Sequence, residues 1–564
     1  MKTSTPPRHL SIRFTLCCTL AALLAACVHA APDRDARPDH AIANQPAKTA
    51  KPRLVVLLVV DGLPQRQIDD YRGQFGPDGF RRFLDRGTWY SQAHYRHAHT
   101  VTAVGHATFL TGALPSATGI LSNEWRDPFT GQTVYCTGDE AHTYLGHKTQ
   151  RLDGTSPKNL RAESLGDVLK RVSPASKVIA VSLKDRGAIL PAGKAGTAYM
   201  YMAESGNFVS TTYYMKEHPA WVTAFNSAKP ADKYFKATWS PLLAESEYSR
   251  SVPDGQRWYN GPGKLPMTFG AGDAPGANFY GAMIASPFSD VLTLDFARAA
   301  IAGEALGQDD APDILSVSLS AHDYVNHAYG AESRISHDHT LHLDRALQDF
   351  FAHLDAKVGK DRYVAVLTAD HGFMPVPEYS QSIGQGGGRL NTSELQSRIN
   401  AEVGKTFGEG AWLRGGSGNG FLLNHPLITE KRVDRKALAT AIRDLLRKEP
   451  GIAQAWLKEE VKAGLPPRTP YADLLQNHFI DDLSADIITV QARYWLFGSR
   501  ASGTTHGTPH DYDTHVPILV HAPGYAPGRV DTLVGVNDIA PTLAKMLGIP
   551  APAQSVGTPL PKLR

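Results

Sequence analysis

The chain has 564 residues, 42% of them hydrophobic and 20% charged, proportions that exclude a fibrous or largely disordered protein. Its formal charge of +3 arises from 58 basic and 55 acidic residues. Three of the basic residues lie in the first thirty positions, where no acidic residue occurs, so the rest of the chain is close to neutral and nucleic acid is not expected as an obligate partner.

Lys2, Arg8 and Arg13 precede an apolar run from Phe14 to Ala26, too short to span a bilayer as a helix. Residues 1–30 therefore read as an export signal. Two cleavage signals overlap. Val28-His29-Ala30 suits ordinary signal peptidase, and Leu24-Ala25-Ala26-Cys27 resembles a bacterial lipobox that would leave a lipid on Cys27. Both stay open. The expectation is an exported, periplasmic protein, with anchoring at the outer membrane through a lipid on Cys27 and secretion as the alternatives. Cys136 is the one cysteine outside the signal region and reads as a buried structural thiol. Residues 31–52, rich in Pro, Ala, Asp and Lys, read as a tether.

Beyond the tether, continuous apolar runs predict buried strands at 53–60, 177–183, 314–319, 363–367 and 516–521. Strands apolar on both faces belong to a parallel sheet covered by helices. Helices are predicted at about 158–171, 291–305, 338–356 and 537–547, the last between Asn537-Asp538 and Gly548. The fold class is thus α/β, a mostly parallel central sheet with helices on both faces. Two intervals break the alternation, about 190–285 and about 376–500. Both are read as insertions above the sheet edge in one catalytic domain spanning 53–564. The second carries a Gly-rich loop at 384–388 and an amphipathic helix at 434–448. The tyrosines of the first (Tyr199, Tyr201, Tyr213, Tyr214) read as aromatic packing, with a leaving-group site as the alternative.

Polar residues follow the strands. The first ends in Asp61, the third leads to Asp323 and His327, and the fourth to Asp370 and His371. In an open α/β sheet, sites form beyond the carboxyl ends of the strands, so these groups gather at one edge. Asp oxygen and His nitrogen are the donors zinc takes. Asp323 and His327 share a face if their segment is helical. Any one pair is ambiguous; their repetition after buried strands makes a metal site. Thr102 opens a short predicted helix over 103–112. A threonine there is either a helix cap or a hydroxyl placed where free N–H groups favour phosphate.

The order Asp61, Thr102-x3-His106, Asn123, Lys184-Asp185-Arg186-Gly187, Asp323-x3-His327, Asp370-His371, His506-Gly507-Thr508-Pro509 resembles the alkaline phosphatase superfamily. It is most similar to the phosphate-irrepressible bacterial alkaline phosphatases with a threonine nucleophile, and the resemblance runs over most of the chain after residue 50. It implies an alkaline-phosphatase-like fold and a phosphomonoesterase with two zinc ions. One zinc would be bound by Asp323, His327 and His506. The other would be bound by Asp61, Asp370 and His371, with the Thr102 hydroxyl as fourth ligand and nucleophile. Asn123, Lys184 and Arg186 would hold the phosphoryl oxygens. The two cations suit a monoester dianion, so small phosphate monoesters are the expected substrates and a monomer the expected state. The superfamily's three-metal members carry a glutamate five residues before the aspartate of the Asp-x3-His pair. That position is Ser318 here, so no third, Mg²⁺, site is expected. Two alternatives remain: a phosphodiesterase or nucleotide pyrophosphatase of the same superfamily, and a periplasmic metal- or phosphate-binding protein without turnover.

Overall fold

The computed structural model describes residues 51–563. The signal segment, Cys27 and all but the end of the tether lie outside the described residues. A 10-stranded sheet dominates the molecule. Its strands are β1 (Leu54–Val60), β2 (Thr88–His94), β3 (Val178–Ser182), β4 (Thr197–Met202), β5 (Asn207–Val209), β6 (Asp313–Leu319), β7 (Tyr363–Thr368), β8 (His515–His521), β9 (Gly528–Val530) and β10 (Val534–Gly535). The spatial order is β9-β2-β8-β7-β1-β6-β3-β4-β5, with β10 beside β2.

β1 lies at the centre and runs parallel to both neighbours. Its seven apolar residues are all fully buried, which is why they read as one uninterrupted run. β6, β3 and β4 continue the parallel half. β8 departs from the expected parallel pattern. It pairs antiparallel with both β7 and β2, and an apolar run carries no signal of strand direction. β2, Thr-Trp-Tyr-Ser-Gln-Ala-His, is mostly buried but too polar to stand out as a strand.

The covering helices are α1 (Thr102–Phe109), α2 (Leu165–Val172), α3 (Asp185–Ala192), α4 (Pro287–Gly303), α5 (Ala321–Tyr329), α6 (Arg334–Lys357), α7 (Thr392–Phe407), α8 (Arg435–Leu446) and α9 (Ile539–Leu547). α1 packs on α3, and α4 on α6. α2 is shorter than the predicted 158–171 because Ser164 begins it with a reciprocal capping box to Asp167, so the residues before it are excluded from the helix. No helix among the described residues is long and apolar enough to cross a membrane.

The interval 190–285 begins inside the sheet: β4 and β5 form its edge hairpin. Of its tyrosines, Tyr199 packs edge-on against Trp221 and Phe296, Tyr201 against Phe208, and Tyr213 against Tyr214. The interval 376–500 builds a small antiparallel sheet of its own, from 413–417, 420–423, 452–457 and 487–491. α7 and α8 cover it, with a separate apolar core that includes Trp412, Leu438 and Ile442. Where this excursion leaves and rejoins the core the chain is stitched together, Gly372 N–H to Asp513 O at 2.7 Å and Phe373 N–H to Tyr512 O at 2.8 Å.

Candidate active site

The carboxyl ends of β1, β6, β3 and β7 converge on a buried cluster of acids and imidazoles. Asp61 caps β1, its N–H held by Leu319 O at 3.0 Å. Gly62 then turns the chain with a φ of +72°, a conformation that favours glycine. Its N–H donates to Asp370 Oδ1 at 3.0 Å, and its carbonyl accepts from Asn326 Nδ2 at 3.0 Å. Asp323 and His327 lie one turn apart on α5, with His327 Nε2 3.4 Å from Asp323 Oδ1. His506 Nε2 reaches the same oxygen at 3.5 Å. His371 Nε2 lies 3.4 Å from Asp61 Oδ1 and 3.5 Å from Asp370 Oδ2. The His371 and His506 rings stack at 3.4 Å.

Each of the three histidines turns its Nδ1 to a backbone carbonyl. His327 Nδ1 lies 2.9 Å from Thr504 O, His371 Nδ1 2.9 Å from Gly372 O and His506 Nδ1 2.8 Å from Thr100 O. Donation from Nδ1–H leaves Nε2 as the lone-pair nitrogen, and a carbonyl in that role is the usual orienting partner of a metal-bound histidine. The three Nε2 atoms face the carboxylates. Asp61 Oδ1, Asp323 Oδ1, Asp370 Oδ2 and His371 Nε2 are buried without a hydrogen-bond partner, a costly arrangement for polar atoms unless a cation satisfies them. The residues therefore fit divalent cations. Asp323, His327 and His506 form one group of ligand atoms close enough to share an ion, and Asp61, Asp323 and His371 form another. The second group contains Asp323 in the position expected of Asp370; Asp370 is fully buried beside it, its Oδ2 3.5 Å from His371 Nε2 and 3.2 Å from His106 Nδ1.

The electrostatics follow from this crowding. Burial raises the Asp61 carboxyl, and the neighbouring Asp370 raises it further. Burial also acts on Asp323, yet His327 and Lys184 pull it well below the carboxylate range. His371 is pushed up to about 9, because Asp370 and Asp61 outweigh its burial. Burial and the His371 charge hold His506 well below its ordinary value.

Thr102 is the first residue of α1, one per cent exposed. Val101 is the capping residue and no side chain caps the helix, so the cap reading of Thr102 does not hold. Its hydroxyl makes no hydrogen bond among the described residues. Its carbonyl accepts from His106 Nδ1 at 2.9 Å, which also lies 3.2 Å from Asp370 Oδ2. α1 reaches the cluster through Gly105, where a Cβ would stand 2.1 Å from Asp370 O. Asn123 Oδ1 accepts from Ala103 N at 2.8 Å, which leaves its Nδ2 free to donate toward the start of the helix.

Lys184 Nζ lies 2.7 Å from Asp61 Oδ2 and 2.6 Å from Asp323 Oδ2. Burial opposes its charge, but Asp323 and Asp61 raise the ammonium above its ordinary range. Arg186 Nη1 donates to Tyr135 Oη at 3.1 Å, and Tyr135 donates to Asp185 Oδ1 at 2.5 Å. The Arg186 Nε is buried and unpartnered. Both cations line a cavity of about 580 Å³ with Tyr135, Tyr144 and Tyr324.

Four further histidines, His106, His322, His510 and His515, lie near these residues in the sequence. His106 alone touches the cluster; its Nε2 meets Ser318 Oγ at 2.8 Å. His322 bonds Gln67 and His339 behind the cluster, His510 bonds Tyr471 and Gln491, and His515 bonds Ser91. Asp513 was missed. Its buried Oδ2 accepts from Gly507 N, Thr508 N and Thr508 Oγ1 at 3.1, 2.8 and 2.6 Å, gathering the loop that carries His506. Burial raises its carboxyl to about 7. No spacing rule marks such an aspartate. Cys136 is buried and unpaired, as expected.

Residues 55–513 match the family model described as type I phosphodiesterase / nucleotide pyrophosphatase. The chain is 33% identical to alkaline phosphatase PafA of Elizabethkingia meningoseptica over 518 residues, 90% of this chain and 94% of that one. It is also 33% identical to a protein of Myroides odoratus named calcium-transporting ATPase, over 91% of this chain and 95% of that one. The crystal structure of wild-type PafA superimposes with a TM-score of 0.85 at 32% identity, covering 91% of this chain and 99% of that one. A second PafA crystal structure carries substitutions of a threonine, an asparagine 21 residues later, and a lysine and arginine two residues apart. By this match and these relatives, the chain belongs to the type I phosphodiesterase / nucleotide pyrophosphatase family within the alkaline phosphatase superfamily.

Proposed function

We propose that this protein is a zinc-dependent alkaline phosphatase that hydrolyses small phosphate monoesters through a phosphothreonine at Thr102. One observation carries the reading. Three oriented imidazoles and three carboxylates with unpartnered atoms converge beside a helix-opening threonine whose hydroxyl has no protein partner. Relatives named alkaline phosphatase support it. So does the substituted PafA structure, whose threonine, asparagine, lysine and arginine match the residue types of Thr102, Asn123, Lys184 and Arg186. The 21-residue and two-residue spacings match as well.

Asp323, His327 and His506 would hold one zinc ion; Asp61, Asp370 and His371 would hold the other. Such a pair of ions stabilises the entering and leaving oxygens of an in-line displacement. The protein supplies position and charge. Thr102 Oγ attacks phosphorus, its proton is lost, and the P–O bond to the alcohol breaks. Water then cleaves the Thr102–O–P bond and releases phosphate. Asn123 Nδ2, Lys184 Nζ and Arg186 donate to the non-bridging oxygens, which in a monoester dianion carry the charge that two cations match. A diester, with one of those oxygens esterified, leaves a cation unpaired. The Ser318 hydroxyl is engaged by His106, consistent with two metals rather than three. Export to the periplasm, with residues 1–30 as the signal, is part of the same proposal.

The test is a denaturing quench during turnover of a ³²P-labelled aryl monoester. Wild-type protein is expected to retain label on Thr102 and Thr102→Ala none. Equal wild-type turnover of an aryl diester would overturn the monoester assignment, and zinc binding without turnover would favour a binding protein.

A further inference from the structure

Beside the cluster lies a second cavity, of about 260 Å³, that the phosphoryl chemistry does not use. One wall is the loop Thr505–Pro509, including His506; the other is the small sheet of the 376–500 excursion, at Gly416, Gly418–Phe421 and Thr489–Gln491. It ends on His506, which in the proposed mechanism belongs to the half of the site past which the alcohol departs.

Its lining has two properties. No Asp, Glu, Lys or Arg contributes to it. The only imidazole besides His506 is His99, which burial pushes down to about 4, so it is neutral at working pH. The second property is a set of unused hydrogen-bonding groups. Thr392, Asn419, Gln491 and Thr505 line this space, partly exposed, and their side chains make no hydrogen bond to any described residue. The apolar part of the wall includes Phe421, Phe497, Leu475 and Val490, and Phe421 is 3% exposed.

We infer that this cavity binds the leaving group of the substrate, and that it selects an uncharged ring edged with hydroxyl or amide groups, the chemistry shared by monosaccharides and nucleosides. The inference rests on the phosphomonoesterase reading for its link to turnover. A site built to hydrogen-bond a ligand discriminates strongly against one that lacks the matching groups, whereas the absence of charge gives a second phosphate or a carboxylate no counter-ion. The volume, about 260 Å³, lies just below the usual range of ligand pockets, roughly 300–1,000 Å³, and suits a single small leaving group over an oligomer.

The experiment compares kcat/KM for a nucleoside 5′-monophosphate, a hexose phosphate and methyl phosphate in wild type, Asn419→Leu and Gln491→Leu. Calorimetry of the free nucleoside and the free hexose is run on the same three proteins. With one to two hydrogen bonds lost, kcat/KM for at least one ring substrate is expected to fall about tenfold or more, and binding of the matching free ring to weaken in parallel. Methyl phosphate turnover should be unchanged, which also reports correct folding. Which ring substrate responds identifies the source. Unchanged ring-substrate kinetics and unchanged ring binding in both variants would overturn the inference. So would an equal fall for methyl phosphate, the mark of a structural role. If the wild type hydrolyses no monoester, the phosphatase reading fails, and calorimetry alone decides the cavity: binding that the variants weaken upholds the ring site, and no binding overturns it.

Discussion

Lys184 Nζ stands 2.6 Å from Asp323 Oδ2, so one carboxylate serves both the ammonium and, through its other oxygen, the imidazoles of His327 and His506. A lysine in that position neutralises the acidic cluster and, in the proposed mechanism, donates to the phosphoryl group. Lys184→Ala is expected to lower monoester kcat/KM by about 10²–10³-fold, the usual cost of a lost transition-state donor, and diester kcat/KM by much less. Arg186→Ala should show the same preference. Parallel steady-state assays of an aryl monoester and an aryl diester check this; equal losses on both substrates would contradict it.

The His506 loop depends on one aspartate. Asp513→Ala would strand Gly507 N, Thr508 N and Thr508 Oγ1, with a cost of ~1–3 kcal/mol for each buried group left unpaired. The expected result is a lower thermal midpoint and zinc affinity reduced about 10- to 100-fold, as for lost partners behind metal ligands. A competition titration with a zinc chelator measures it.

Metal removal should act on stability as well as on rate. Without cations, the unpartnered Asp61, Asp323 and Asp370 oxygens face one another in a buried space. Exhaustive chelation is expected to abolish activity and lower the unfolding temperature. Both should return when two equivalents of Zn²⁺ are added, with no further gain from Mg²⁺. Recovery that requires Mg²⁺ would reinstate a third site.

Away from the phosphoryl site, His97 and His478 lie with ring centroids 5.9 Å apart, on the core and the excursion respectively. Burial, helped by His99, pushes His97 down to about 3, and burial likewise holds His478 well below its ordinary 6.5. Both are neutral when folded. A depressed folded value means that their contribution is full above pH 6.5 and is lost as pH falls toward about 3. The thermal midpoint should therefore drop between pH 7 and pH 4, and less steeply in His97→Gln. Calorimetric scans across that range decide it; parallel slopes in the two proteins would count against the assignment.

Much of this arrangement was legible in the residues. Five strands announced themselves because both their faces are buried, and the acids and imidazoles after three of them could be read as converging. The pairing of α5, Asp323 with His327, followed from helical spacing. Strand direction did not, since the apolar run of β8 looks the same either way. Nor did β4, whose tyrosines and methionines resemble loop packing as much as sheet, or its three-residue partner β5. His506 lies 135 residues beyond His371, and only resemblance to a family brought it in. Asp513 escaped because a carboxylate that accepts backbone N–H groups follows no period. Asp323, read as a ligand of one ion, stands within reach of both donor groups, a consequence of how α5 meets β1 that spacing along the chain cannot convey.

The antiparallel course of β8 has an evolutionary consequence. Because β7 ends and β8 begins at the same edge, the 376–500 excursion departs and returns at one place, its feet sewn together by the Gly372–Asp513 and Phe373–Tyr512 bonds. Lengthening a loop whose ends are already pinned costs little conformational entropy. The excursion can be trimmed, extended or replaced while Asp370, His371 and His506 keep their places. A lineage could thus change which alcohols its enzyme accepts by swapping a cap, leaving the machinery that breaks the ester bond untouched.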